Sequence, residues 1–306
     1  MKLHSKDLLG IGDLSTDEID LILDTAVDMK KIVTSGIKKS NYLQGRTVMT
    51  LFYENSTRTR VSFELASKYL GAQAVNVAVA SSSVAKGETL IDTGRTLDAM
   101  GTDILVIRHG SSGAPHHLAR NVRASVINAG DGMHEHPTQA LLDLFTIREA
   151  YGTVTGLKVA VIGDVLHSRV ARSNILCLTK MGASVAVYGP ATLMAPGIEQ
   201  MGARVCGSIE EAVDDADVIM ALRVQMERQK KALFPSAAEY ARFFGLNPEN
   251  VSDAKPCALW MHPGPVNRGV EMPTLMVDGS QSVINTQVTN GVAVRMAILY
   301  LLTGRE

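Results

Sequence analysis

Cysteine is scarce in this 306-residue chain, and the three present, Cys177, Cys206 and Cys257, lie far apart and outside any CxxC spacing. An odd count with no pairing pattern excludes a disulfide framework and a zinc knuckle, and points to reduced thiols in a cytoplasmic protein. Aromatic residues make up only 5% of the chain, which argues against an aromatic-rich β-sandwich. Neither sign of charge is in excess: 30 Lys and Arg against 31 Asp and Glu leave a net charge of −1. No global field therefore favours nucleic acid or an anionic membrane, and any anion site must be local. Apolar runs fall well short of the ~18 residues of a membrane span, and the opening MKLHSKDLLGIGDLS mixes charges with short apolar pairs. Repeats, low-complexity tracts and Pro/Gly/Ser-rich linkers are also missing, so a domain boundary has to come from the pattern itself.

What is present is an alternation of short β-rich runs with helical segments, the signature of parallel sheets covered by helices. Strands are expected at 48–53, 74–80, 103–109 and 124–130, then at 157–164, 183–189, 217–223 and 257–262. Val61, Leu65, Ala66, Tyr69 and Leu70 recur at helical spacing and stop at Gly71, a plausible C-cap. Further helices are expected from about Glu88 and after Pro137. Four strand units precede the Pro137 helix and four follow it, which predicts an α/β fold of two similar-sized domains joined near 137–150. The final TQVTNGVAVRMAILYLLTG reads as a helix whose apolar face must be covered, though periodicity does not say by what.

The strongest chemical signal is Glu54-Asn55-Ser56-Thr57-Arg58-Thr59-Arg60, where a buried strand empties into hydroxyls and guanidinium groups and a helix begins. Unpaired N–H groups and the helix dipole stabilise an anion at such a junction. Ser56, Thr57 and Thr59 add O–H donors, and Arg58 offers a planar fork suited to phosphate oxygens. Ordinary N-capping by Ser or Thr is the competing explanation, but two arginines interleaved with three hydroxyls weigh against it. The loop Ser81-Ser82-Ser83-Val84-Ala85-Lys86 carries a single mobile ammonium; taken alone it reads as a solvated surface loop.

Arg108-His109 ends one expected strand, and Gly132-Met133-His134-Glu135-His136-Pro137-Thr138-Gln139 follows the next. His136, Arg108 and Thr59 are candidate donors to a developing oxyanion, and Gln139, one turn on, to an amide. A metal at His134-Glu135-His136 is not expected, because side chains two apart on an extended stretch diverge and no third ligand is evident. In the second half, Asp164-Val165-Leu166-His167-Ser168-Arg169 and Arg223-Val224-Gln225 close two strands; without a glycine fingerprint after Gly163, a dinucleotide site is weak and Arg169 and Arg223 read as carboxylate clamps. His262-Pro263-Gly264-Pro265 is a rigid turn at another strand exit.

Taken in order across roughly residues 46 to 295, FYENSTRTRVSFE, KGETL, Arg108-His109, HPTQALLDLFTI, RVQMER and HPGPVNRGVE closely resemble aspartate carbamoyltransferase catalytic chains. The resemblance implies a carbamoyl phosphate domain over 1–136, a connecting helix over 137–150, an aspartate domain over 151–285 and a C-terminal helix, 286–306, returning to the first domain. It implies that Ser56, Thr57, Arg58, Thr59, Ser82, Arg108, His136, Gln139, Gly264 and Pro265 hold carbamoyl phosphate. Lys86, Arg169, Arg223 and Gln225 are implied for L-aspartate, with Thr59, Lys86, Arg108 and His136 catalytic and no cofactor or metal. It further implies a homotrimer in which Ser82 and Lys86 come from the neighbouring subunit, and adds regulatory chains and dihydroorotase as candidate partners. Gly264 departs from the leucine or alanine of other members, and Ala85 replaces a second lysine found in some. Ornithine carbamoyltransferase is the nearest alternative, but its cysteines, in the histidine-proline turn and at the position of Thr138, are missing here. A non-catalytic scaffold is the other, and it should have lost some of Arg58, Lys86, Arg108 or His136.

Overall fold

β-branched and apolar runs of three to seven residues, most of them followed by a turn and a helix, produce two separate parallel sheets in the computed structural model, which describes residues 3–77, 87–224 and 236–304. One unit holds the residues up to Phe145 together with those from Thr289 onward; the other runs from Thr146 to Val288.

The first unit opens with α1 (Thr16–Thr34), started by a capping box in which the Ser15 hydroxyl accepts from Glu18 N and the Glu18 carboxylate accepts from Ser15 N. Then follow β1 (Thr47–Phe52), α2 (Thr57–Tyr69), β2 (Gln73–Val77), α3 (Leu90–Ala99), β3 (Ile104–His109), α4 (Ala114–Ala119), β4 (Ser125–Asp131) and α5 (Pro137–Tyr151). The strands lie in the order β2-β1-β3-β4, all parallel, with Leu51 opposite Val77 on one side and Phe52 opposite Arg108 on the other. Met49, Leu51, Leu105, Ile107, Leu118 and Val126 form the core beneath α3 and α4. α2 buries Ser62, Phe63, Ala66 and Ser67 rather than the face centred on Val61, which is exposed. The rotation has a polar cause: Ser67 Oγ donates to Phe63 O, and Ser62 Oγ accepts a buried arginine, so small hydroxyls take positions that hydropathy alone assigns to larger apolar groups.

The second unit contains β5 (Lys158–Ile162), α6 (Arg169–Lys180), β6 (Ser184–Tyr188), β7 (Ala203–Val205), α7 (Ile209–Val213), β8 (Val218–Ala221), α8 (Ala237–Phe244), β9 (Leu259–Met261) and α9 (Thr274–Val277). Its order is β7-β6-β5-β8-β9, again parallel. It has five strands rather than four: β7 is three residues long with two of them exposed, too short to leave a pattern in the sequence. β5 and β8 are buried almost throughout, with Ala160, Ile162, Ile219, Ala221, Met272 and Met276 in one core cluster.

α10 (Ile284–Thr303) belongs to the first unit from Thr289 onward and packs on it. Val292 through Leu299 are buried on every side, as expected of a helix that is apolar all round. Gly291 permits the close approach: a Cβ there would lie 3.2 Å from Leu142 Cδ2 of α5 and closer still to the Arg295 guanidinium. Among the described residues no helix is long and apolar enough to cross a membrane.

Candidate active site

Each sheet has one place where the chain reverses the side on which it adds strands, and there the loops leaving the strand ends diverge and open a crevice. In the first unit that place lies between β1 and β3, and in the second between β5 and β8. Ser56–Thr59 leave β1, Arg108 ends β3, Arg169 follows β5 and Arg223 follows β8. Four of the motifs singled out in the sequence therefore emerge at the two switch points.

At the β1 exit, Ser56 is the N-cap of α2 but makes no side-chain capping hydrogen bond. Ser15, Thr89, Ser168, Ser208 and Ser236, at the same position on their helices, all accept from the N3 amide. The Ser56 hydroxyl is thus not spent on the helix terminus, which counts against the ordinary capping explanation. Thr59 is buried one turn in, while Arg58 is exposed; its surroundings nevertheless pull its pKa down by desolvation, against the attraction of Asp143.

Arg108 stands where the β3–β4 register slips, Ile107 pairing with Asn128 and His109 with Asp131. Such a bulge re-aims the side chain beside it. The Arg108 Nη1 donates to Ala129 O at 3.3 Å, and its Nε lies 3.5 Å from Glu54 Oε2. His136 is buried immediately before α5, with Pro137 in the first helical position, where its missing N–H costs nothing. Gln139 Nε2 donates to Asp143 Oδ1 at 3.0 Å, which leaves Gln139 Oε1 as the acceptor for an amide N–H.

Asp143 and Arg295, which were not singled out in the sequence, lie near Arg58 in the same unit. Asp143 is fully buried and faces both Arg58 and Arg295. Arg295, on α10, donates to Ser62 Oγ at 2.9 Å and lies 5.3 Å over the Phe63 ring. Burial, with Arg58 nearby and Asp143 opposing, brings its pKa down to about 10. The available signal was one charge inside each of two apolar helical runs, QALLDLFTI and NGVAVRMAILYLL.

In the second unit, Arg169 is the first residue of α6 and is buried; Ser168 caps the helix, its Oγ accepting from Ala171 N. The preceding loop is tied by Asp164, which accepts from His167 N and Nδ1. Past Arg223, Val224 N donates to Glu271 Oε1 at 2.8 Å, and Asn267 holds the same carboxylate through its N and Nδ2. Burial pushes the Glu271 carboxyl up against those hydrogen bonds. In the turn after β9, His262 N donates to Gln287 Oε1, His262 Nδ1 accepts from Gly264 N at 2.7 Å, and Gly264–Pro265 is cis. Ser82, Lys86 and Gln225 lie outside the described residues.

Two parallel sheets with hydroxyl and guanidinium groups at their switch points are the arrangement of a two-domain α/β enzyme. Residues 6–149 match the family model described as aspartate/ornithine carbamoyltransferase, carbamoyl-P binding domain, and residues 155–302 match the Asp/Orn binding domain of the same family. The chain belongs to the aspartate/ornithine carbamoyltransferase family. An aspartate carbamoyltransferase catalytic subunit from Ruminiclostridium cellulolyticum is 65% identical over 305 residues, covering 100% of this chain and 97% of its own. Among solved structures, aspartate transcarbamoylase from Trypanosoma cruzi in complex with N-(phosphonacetyl)-L-aspartic acid aligns with TM-score 0.88 at 34% identity, over 97% of this chain and 96% of that one. Ornithine carbamoyltransferase from Pyrococcus furiosus aligns with TM-score 0.89 at 31% identity, over 100% and 99%. The fold alone therefore does not separate the two activities, whereas the sequence relatives side with aspartate.

Proposed function

We propose that this chain transfers the carbamoyl group of carbamoyl phosphate to the α-amine of L-aspartate, giving N-carbamoyl-L-aspartate and phosphate, an early step of pyrimidine synthesis in the cytoplasm. The observation that carries the reading is the uncommitted Ser56 hydroxyl beside Arg58 at the β1–β3 switch point, in a chain 65% identical to a protein named for this activity.

In this reading the phosphate rests on the first amides of α2 with Ser56, Thr57, Arg58 and Thr59, joined by Ser82 and Lys86 from a neighbouring subunit of a homotrimer. The carbonyl oxygen takes hydrogen bonds from Thr59, Arg108 and His136. Gln139 Oε1 and the carbonyls of the Gly264–Pro265 turn accept from the carbamoyl NH₂. The two carboxylates of aspartate pair with Arg169, Arg223 and Lys86, with Gln225 beside them. The unprotonated amine attacks the carbonyl carbon, a C–N bond forms, and negative charge develops on the oxygen. Collapse breaks the C–O bond to phosphate, and the departing dianion accepts the amine proton, so no side chain need act as base throughout. Each oxyanion donor is worth ~10² to 10³ in rate, and bringing two charged substrates together accounts for much of the remainder.

The reading is tested by phosphate release. Release that requires L-aspartate and collapses in Arg58→Ala supports it. Release that is indifferent to aspartate, or untouched by that substitution, overturns it.

A further inference from the structure

His134, Glu135 and His136 have separate surroundings: His134 Nδ1 lies 3.1 Å from Asp131 Oδ2, Glu135 Oε2 accepts from Ile11 N, and His136 is buried. The fold gives His134 different company. His116, on α4, brings its ring centroid to 5.6 Å from that of His134, and one ligand atom from each of His116, Asp131 and His134 lies within 4.8 Å of the others. We propose that His116, Asp131 and His134 bind a divalent zinc-like ion that clamps the turn between β4 and α5 to the start of α4.

Two imidazoles and a carboxylate suit a borderline cation such as zinc, cobalt or nickel rather than magnesium or calcium, which prefer all-oxygen shells. Zinc bound at 2.0–2.2 Å in a tetrahedron sets its ligand atoms roughly 3.4 Å apart. The His134 Nδ1 distances to the two Asp131 oxygens, 3.3 and 3.1 Å, are already of that size. Closing the third side requires a rotation of the half-buried His116 ring. That ring has a reason to turn, because its Nδ1 is buried without a hydrogen-bond partner.

The carboxylate is held as a metal ligand is commonly held. Asp131 Oδ1 accepts from Asn128 Nδ2 at 2.8 Å and from Glu135 N at 3.1 Å, and Oδ2 accepts from Gly113 N at 2.7 Å. Such outer contacts fix ligand orientation. The last of them also joins the carboxylate to the N-cap of the helix that carries His116. The two backbone segments are pressed together at Gly132, whose N donates to His109 O and where a Cβ would stand 2.7 Å from Ser112 N. The His134 side chain is 42% exposed, which leaves a route for the ion and room for water in the fourth position. The clamped turn leads directly into His136 and α5, so the ion would brace the segment that positions His136. The proposal does not depend on the catalytic reading, because binding is followed without turnover.

The experiment uses the full chain carrying Cys257→Ser, since that exposed thiol is a competing ligand. The protein is stripped with chelator and titrated with cobalt(II), read by visible absorption, then displaced with zinc. One cobalt per chain, bound at micromolar concentration and displaced by zinc, is expected. His116→Ala and His134→Ala should each weaken binding at least tenfold, the least that even outer contacts of a metal ligand are worth. His167→Ala should leave it unchanged, because His167 pairs with Asp164 at 3.0 Å but belongs to no such three-residue group among the described residues. If His116→Ala fails to fold by circular dichroism, the more exposed His134→Ala decides alone. No binding at micromolar cobalt, binding that survives the His134 substitution, or an equal loss in His167→Ala overturns the proposal.

Discussion

Neutralising Asp143 should disturb stability and phosphate binding together. Asp143→Asn keeps the shape of the side chain and an acceptor for Gln139, but removes a buried carboxylate that attracts both Arg58 and Arg295. Breaking a buried ionic arrangement by removing one partner typically costs about 3 to 5 kcal/mol. That is the loss expected here, roughly 10 °C in thermal midpoint for a unit of this size. Calorimetry and urea unfolding read that loss, and steady-state kinetics should show the carbamoyl phosphate KM rising at least tenfold with a much smaller change for L-aspartate. Adding Arg295→Met should return most of the lost stability, because it removes the charge left unpaired. A single variant within about 1 kcal/mol of the wild type, with both KM values unchanged, would refute the idea that Asp143 balances the two arginines.

Arg223→Ala should raise the L-aspartate KM far more than the carbamoyl phosphate KM; equal effects would remove Arg223 from amino-acid binding. On the proposed trimer with sites shared between subunits, Arg58→Ala and Lys86→Ala assemblies should each be nearly inactive, and dissociating and remixing them should restore roughly one quarter of all sites, because each hybrid ring would have one interface with both residues intact. No recovery, with hybrids confirmed by mass, would place both residues in a site within one chain. At α1, burial raises the Glu18 pKa but is outweighed by hydrogen bonds from His4 N, Ser15 N and the Ser15 hydroxyl, so the carboxyl titrates below its ordinary 4.5. Its stabilisation is present above that value and lost as pH falls through the depressed pKa. Glu18→Gln should lower the unfolding free energy modestly at pH 7, by about 0.3 to 1 kcal/mol, and the gap should close in acid; a pH-independent gap would contradict the charge argument.

Strands were legible wherever both faces are buried. β1, β3, β4, β5 and β8 read as continuous apolar runs and lie within about two residues of their expected ends. β7 left no such trace, since an edge strand of three residues with two exposed has almost nothing to hide from water. α1 is legible too: Ser15 and Glu18 stand three apart before Ile19, Ile22, Leu23 and Ala26, which is the pattern of a capping box feeding an apolar stripe. The candidate phosphate loop stands out in the sequence because hydroxyls and arginines cluster in consecutive positions. Asp143 and Arg295 do not, because they are 152 residues apart in number and each sits alone in a helix otherwise read as core. His116 meets His134 only through the packing of α4 against β4, and no spacing rule joins residues on separate elements. The burial of Ser62 and Ser67 on α2 illustrates the same limit, since a hydroxyl satisfied inside the protein looks in sequence like one facing solvent.

Discrimination between amino acids tests the central claim most directly, because the fold is shared with an ornithine enzyme. If Arg169 and Arg223 hold the amino acid as proposed, an ornithine side chain would set an ammonium against them where aspartate offers a carboxylate. The measurement is a competition with ¹³C-carbamoyl phosphate and equimolar ¹⁵N-labelled L-aspartate and L-ornithine, the products being identified by the one-bond coupling between the new carbonyl carbon and its nitrogen. Carbamoyl aspartate should be formed in excess by roughly 10³ or more, the scale set when buried charged groups are left mispaired. Comparable amounts of the two products, or carbamoyl ornithine in excess, would contradict the account.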